Sequence, residues 1–84
     1  MLKNIEDISE EEIENFYKNI GKNVKRMREV RGMTQLELSL AMNLKSSGLI
    51  SQGELYHKKQ HFNLKHLYQI AYILECDIGE LFKY

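Results

Sequence analysis

Residues 34–56 read TQLELSLAMNLKSSGLISQGELY, and two short helices separated by a break account for the pattern. Thr34 followed three residues later by Glu37 is a capping-box start, in which each side chain accepts from the other residue's backbone N–H. Leu38 and Met42 share one face of the helix that follows and carry it to about Asn43. After Asn43-Leu44-Lys45, Ser46 and Ser47 offer a further cap for a helix running from Gly48 towards Tyr56. Gly48 and Gly53 weaken that second helix, since each costs about 1 kcal/mol relative to alanine in a helix interior.

The flanking sequence supplies three more helices. Upstream, Ser9 and Glu12 form another capping box. From there Ile13, Phe16, Tyr17, Ile20, Val24 and Met27 recur at helical spacing, which predicts one long amphipathic helix. Gly32, behind Arg31, ends it by taking a left-handed conformation. Its acidic start and basic end both suit the helix dipole. Downstream, residues 57–62 are polar and basic and read as a loop. Asn63 caps a helix whose inward set is Leu64, Leu67, Tyr68, Ile70, Ala71 and Leu74, and Asp77 caps a last one with Ile78, Leu81 and Phe82. No segment alternates as a strand, and no proline or repeat interrupts the chain. The expectation is an all-α, compact five-helix bundle with an extended first helix.

With 84 residues the chain fits one small domain. Its 43% hydrophobic and 29% charged residues exclude a disordered chain, and no apolar run reaches the roughly 18 residues that cross a membrane. The first residues are acidic and lack the apolar core of a secretory signal, so a cytoplasmic protein is expected. Cys76 is the single cysteine, which leaves no internal disulfide and no paired-thiol motif; it reads as a small hydrophobe. His57, His61 and His66 lack metal-ligand spacing, and Phe16, Tyr17 and Tyr68 read as core. No nucleophile–base–acid set, glycine-rich phosphate loop or paired carboxylates stand out, so no enzymatic activity, cofactor or metal is expected.

The formal net charge of zero hides an asymmetry. Residues 1–19 form an acidic amphipathic extension, with Glu6, Asp7, Glu10, Glu11, Glu12 and Glu14 against Lys3 and Lys18, a balance of −4 that leaves residues 20–84 at +4. Lys22, Lys25, Arg26, Arg28 and Arg31 oppose only Glu29 there, with the three arginines read as lying on the first helix's exposed face and Arg28 within reach of a phosphate. An acidic arm before a basic body fits a nucleic-acid-binding module, and equally a charged helical surface.

Two short helices joined by a turn, the second opening on small polar residues, is the layout of a helix-turn-helix reader of DNA. The second helix enters the major groove with its N-terminal end towards the base edges, so short or hydrogen-bonding side chains are needed there. Ser46, Ser47, Gly48, Ser51 and Gln52 meet that need, and glutamine pairs bidentately with adenine. From Ile20 to Phe82, about three quarters of the chain, the sequence resembles the phage Cro/repressor-type (XRE-type) helix-turn-helix regulators. The matching pieces are Ile20–Arg28, Arg31-Gly32-Met33-Thr34-Gln35, Glu37-Leu38, Ile50-Ser51 with Glu54, Leu64 and Leu67 with Ile70-Ala71, and Asp77-Ile78 with Glu80-Leu81-Phe82. The resemblance implies that Gln35 contacts the DNA backbone and braces the second reader helix. It also implies that Ser47, Gly48, Ser51 and Gln52 face the groove and that Glu54 has a structural role.

Three departures stand beside that resemblance. The turn between Asn43 and Ile50 is about one residue longer than the family pattern, which shifts the register of the groove-facing side chains. Gly53 stands where an apolar residue precedes the glutamate, which loosens the anchoring of the helix. The stretch from Glu54 to Leu64 is longer and basic, and Lys58 and Lys59 there are candidates to grip phosphates.

These readings together imply a sequence-specific DNA-binding transcriptional regulator, a repressor that binds a palindromic operator as a homodimer. The candidate pairing surfaces are the extension Met1–Asn19 and, favoured, Ile78–Tyr84. The rival reading is a protein-interaction module, an antitoxin or anti-repressor on the same scaffold, whose acidic arm binds a protein partner.

Overall fold

The computed structural model describes residues 2–84; Met1, the first residue of the candidate pairing extension, lies outside them. Four α-helices follow in order: α1 (Glu10–Val30), α2 (Gln35–Ala41), α3 (Gly48–Leu55) and α4 (Leu64–Ile73). Short 3-10 helices occupy Ile5–Asp7, His57–Lys59 and Ile78–Phe82, and no strand occurs among the described residues. The fold is all-helical. Asp77 caps the last element as expected, through Gly79 N–H at 2.9 Å, and that element is a five-residue 3-10 helix, so four of the five expected helices are α-helical.

The helix starts follow the capping chemistry of the sequence. Ser9 and Glu12 close a reciprocal box, as do Thr34 and Glu37, whose two bonds measure 3.0 and 2.9 Å. Asn63 accepts from His66 N–H at 2.7 Å to open α4. Ser47 is different: it occupies the cap position of α3, but its side chain makes no capping bond. Gly32 ends the first helical run at φ +69, where a Cβ would be strained.

One core joins the elements. Ile20, Val24 and Met27 of α1, Leu38 of α2, Ile50 of α3, and Leu67, Ile70, Ala71 and Leu74 of α4 are buried together with Phe62 and Leu81. Burial on α1 begins only at Ile20. Ile13 and Phe16, each 39% exposed, belong to the end that overhangs the core. Along α4 the buried set is narrower than the sequence implies, since Leu64 and Tyr68 are exposed at 75% and 69%. Tyr17 is half-buried, and its ring serves a neighbouring turn described below. Phe62, at the end of the polar, basic stretch 57–62, belongs to the core.

The C-terminal stretch is folded back on α1. Asn23 Nδ2 donates to the carbonyls of Leu81 at 3.1 Å and Lys83 at 2.6 Å, and Asn19 Nδ2 adds a third bond to Lys83 at 2.6 Å. Phe82 stacks on Phe16 at 6.3 Å. Within Ile78–Tyr84, the favoured pairing surface, Leu81 is buried and Ile78, Glu80 and Phe82 are half-buried, while Gly79, Lys83 and Tyr84 are exposed. No helix among the described residues is long and apolar enough to cross a membrane.

Candidate nucleic-acid interface

The segment 34–55 is held by one buried polar cluster. Arg28 Nε donates to Glu54 Oε2 at 2.8 Å and Nη2 to Glu54 Oε1 at 3.0 Å, while Nη1 reaches the Met33 carbonyl at 2.8 Å. Gln35 Nε2 donates to the same Glu54 Oε1 at 3.0 Å. Four parts of the chain meet there: α1, the turn after it, the start of α2 and the end of α3. The carboxylate accepts two parallel bonds from a planar guanidinium, the strongest geometry available to such a pair. Its hydrogen bond to Glu54 raises the Arg28 pKa above the ordinary guanidinium value, against the opposing effect of burial.

This cluster corrects the sequence reading of the arginines. Arg28 is only 7% exposed and does not face a phosphate. Arg31 is also engaged, donating from Nε to the Leu74 carbonyl at 2.6 Å and from Nη2 to Glu75 at 3.0 Å, so it caps the end of α4. Arg26, 3.8 Å from Glu80, and Arg31 are both exposed, so of the three only Arg28 departs from the expected exposed face. Gln35 thus ties the start of α2 to Glu54 at the end of α3, and Glu54 is buried.

Gly53 does not loosen α3. A Cβ there would lie 2.5 Å from Phe62 Cζ, because the distal edge of the Phe62 ring abuts the glycine and fills the space that an apolar side chain would otherwise occupy. On the other partner, a Cβ at Gly21 would lie 2.5 Å from the Glu54 carbonyl oxygen and 2.6 Å from that of Gly53. Gly21 lets the backbones of α1 and α3 touch, whereas Gly53 makes room for the Phe62 ring, and both are close-approach uses of glycine. Length and composition hide this, since the aromatic partner lies nine residues away in what reads as a polar loop.

The outward side of α3 carries most of the proposed reading residues. Ile50, Gly53 and Glu54 are buried; Gln52 is exposed, and Gly48 and Ser51 are half-buried on the same side. Spacing of three, four and seven residues from Gly48 also places Leu55 on that side, 70% exposed. Leu55 was missed by the sequence reading, although its spacing from Gly48 and Gln52 marks it. Around Gly48 the nearest atom to a built Cβ is Ser46 Oγ at 3.7 Å, which leaves the opening turn of α3 approachable. Ser51 donates to the Gly48 carbonyl of its own helix at 3.2 Å, so its hydroxyl is partly occupied. Ser46 is exposed and Ser47 half-buried at the mouth of the helix.

Lys58 and Lys59 sit on an unusual turn. Tyr56, Lys58 and Lys59 all take left-handed φ values, +52, +51 and +62, and such residues cost roughly 1–2 kcal/mol each when they are not glycine. The turn is fixed from the side by α1, where the Tyr17 ring stacks on His61 at 4.0 Å and on Tyr56 at 5.7 Å. Both lysine side chains remain exposed. Phe62, buried just beyond, anchors the far end.

The remaining titratable candidates lie elsewhere. His66 Nδ1 is buried without a hydrogen-bond partner, and burial, with Lys65 nearby, holds its imidazole below the usual histidine pKa. Cys76 packs against the core, and burial pushes its thiol up, the reverse of a reactive thiolate.

No family model, curated protein or solved structure matches this chain. The functional reading therefore rests on the residues and their arrangement.

Proposed function

We propose that the chain is a helix-turn-helix DNA-binding transcriptional regulator of the Cro/repressor type, a repressor that acts as a homodimer on a palindromic site. The single observation that carries this reading is the Arg28–Glu54–Gln35 cluster. It fastens α2 and α3 rigidly to α1 while Gly48, Ser51 and Gln52 stay on the outer side of α3. A reader helix needs that combination, because base recognition requires side chains held in register by a scaffold that does not yield. Gln52 is the proposed base-reading residue, by bidentate pairing with adenine, and Ser46, Ser47, Gly48 and Ser51 allow close approach or hydrogen-bond to base edges. Lys58 and Lys59 provide phosphate contacts that fix orientation without reading sequence.

A mobility-shift assay on the DNA upstream of the protein's own gene, with excess competitor duplex, tests the proposal. The expected result is a discrete shifted species that Gln52→Ala and Ser47→Ala lose while keeping their helical circular dichroism. No shift at low salt refutes the repressor reading for that target.

One observation favours the second reading, a protein-interaction module such as an antitoxin or anti-repressor. The acidic arm exposes Leu2 at 96% and Ile5 at 81% beside Glu6 and Asp7, a mixture that DNA repels and a basic, apolar protein surface attracts. A pull-down with the intact chain and with a chain lacking residues 1–8 separates the two readings.

A further inference from the structure

A row of lysines on α1 has no part in the interface described above. Lys18, Lys22 and Lys25 are exposed, and their spacing of four and three residues places them on one face of the helix. With Glu54 and Leu55 they line a single groove at the end of α3. Their charges have no internal use. Arg26 approaches Glu80, Arg28 holds Glu54 and Lys83 holds Glu80, whereas these three lysines form no ion pair among the described residues. The one carboxylate in the groove, Glu54, is buried and already engaged by Arg28 and Gln35.

The groove adjoins the strained turn. Tyr17, next to Lys18 in sequence, stacks on Tyr56 and His61 and so ties α1 to the turn that carries Lys58 and Lys59. Lys18 to Lys25 spans about 10 Å of helix at 1.5 Å per residue, about the length of three base pairs at 3.4 Å per phosphate along one strand. A helix C-terminus favours a cation only within its last turn, so completing the dipole of α3 does not account for three lysines spread over two turns of another helix. Leu55, exposed at the lip, offers an apolar contact suited to deoxyribose.

We infer that Lys18, Lys22 and Lys25 form a backbone-binding rim, continuous with Lys58 and Lys59, that takes the sugar-phosphate strand of duplex DNA beside α3. The inference rests on the DNA-binding proposal and extends its footprint onto α1. Each lysine neutralises one phosphate and releases its condensed counterion, a sequence-independent contribution.

The test is fluorescence anisotropy on a 30-base-pair duplex of arbitrary sequence, titrated with the full chain at several salt concentrations. Each phosphate contact contributes about 0.9 to the slope of log affinity against log salt. The triple variant Lys18→Gln, Lys22→Gln, Lys25→Gln is expected to lower the slope by about 2.7, so that a fourfold rise in salt costs it about 40-fold less affinity than it costs the wild type. The matching triple arginine variant is expected to keep the wild-type slope, which separates charge from folding. An unchanged slope in the glutamine variant overturns the rim while leaving DNA binding intact. So does a glutamine variant that keeps its slope but loses self-association in sedimentation, which assigns the groove to the acidic arm of a second copy. A wild type that binds no duplex at any salt overturns the DNA reading itself.

Discussion

Replacing Glu54 with alanine removes the centre of the polar cluster and leaves Arg28 buried with one remaining partner, the Met33 carbonyl. The side chains of Arg28 and Glu54 are 8% and 1% exposed, so water cannot substitute for the lost carboxylate. Breaking one side of such a pair costs about 3–5 kcal/mol, mainly through the unpaired charge left behind. A domain of 84 residues has about 4–13 kcal/mol of total stability at 0.05–0.15 kcal/mol per residue. Glu54→Ala is therefore expected to consume about a quarter or more of it, and at about 4–8 °C per kcal/mol to lower Tm by at least about 12 °C. Urea unfolding followed by far-ultraviolet circular dichroism gives the value. The double variant Arg28→Met, Glu54→Leu removes both charges and fills the volume with apolar atoms, and is expected to recover most of the loss. A loss below about 1 kcal/mol for Glu54→Ala, or a double variant no more stable than the single, refutes the reasoning.

Three further outcomes follow from the geometry. Gly53→Ala presses a methyl group onto the Phe62 ring and is expected to cost about 1–3 kcal/mol, partly restored by adding Phe62→Leu; Gly21→Ala meets backbone carbonyls instead and is expected to cost more, both read from urea midpoints. Because burial holds the folded-state pKa of His66 below its ordinary value, the unfolded chain takes up that proton first on acidification. Stability is then expected to fall as pH drops through the ordinary histidine range towards the lowered pKa, and His66→Gln to flatten that part of the curve in thermal melts at stepped pH. Lys59→Gly relieves a left-handed side chain and is expected to raise stability by up to about 1 kcal/mol while weakening duplex binding, so that melting and anisotropy move in opposite directions.

The legible parts of the fold were those set by local chemistry. Ser9, Thr34, Asn63 and Asp77 each cap through bonds to neighbours two or three residues away, and Gly32 needs only its own φ. The parts that sequence did not disclose are set by contacts distant along the chain. Arg28 looked like any solvent-facing arginine because its partner is 26 residues away, and Arg31, though exposed as expected, donates to carbonyls more than 40 residues away that helical spacing does not reveal. Gly53 looked like a weakness until Phe62 was found against it. Helical spacing placed Ile20, Val24 and Met27 in the core, but it also placed Ile13, Phe16, Leu64 and Tyr68 there. Periodicity identifies a face; it does not report where the opposing element ends. At the proposed interface, spacing was enough to put Gly48, Ser51 and Gln52 on one side of α3. The orientation of the Ser51 hydroxyl and the uncapped state of Ser47 depend on backbone geometry that spacing does not reveal.

The most direct measurement of the central claim is selection of duplexes from a randomised pool by the full-length chain, repeated with Gln52→Ala. The account predicts enrichment of a two-fold palindrome with half-sites about 10 base pairs apart, and loss of preference at one symmetry-related pair of positions in the variant. A pool that stays unenriched, or a consensus that Gln52→Ala leaves unchanged at every position, contradicts base reading by α3.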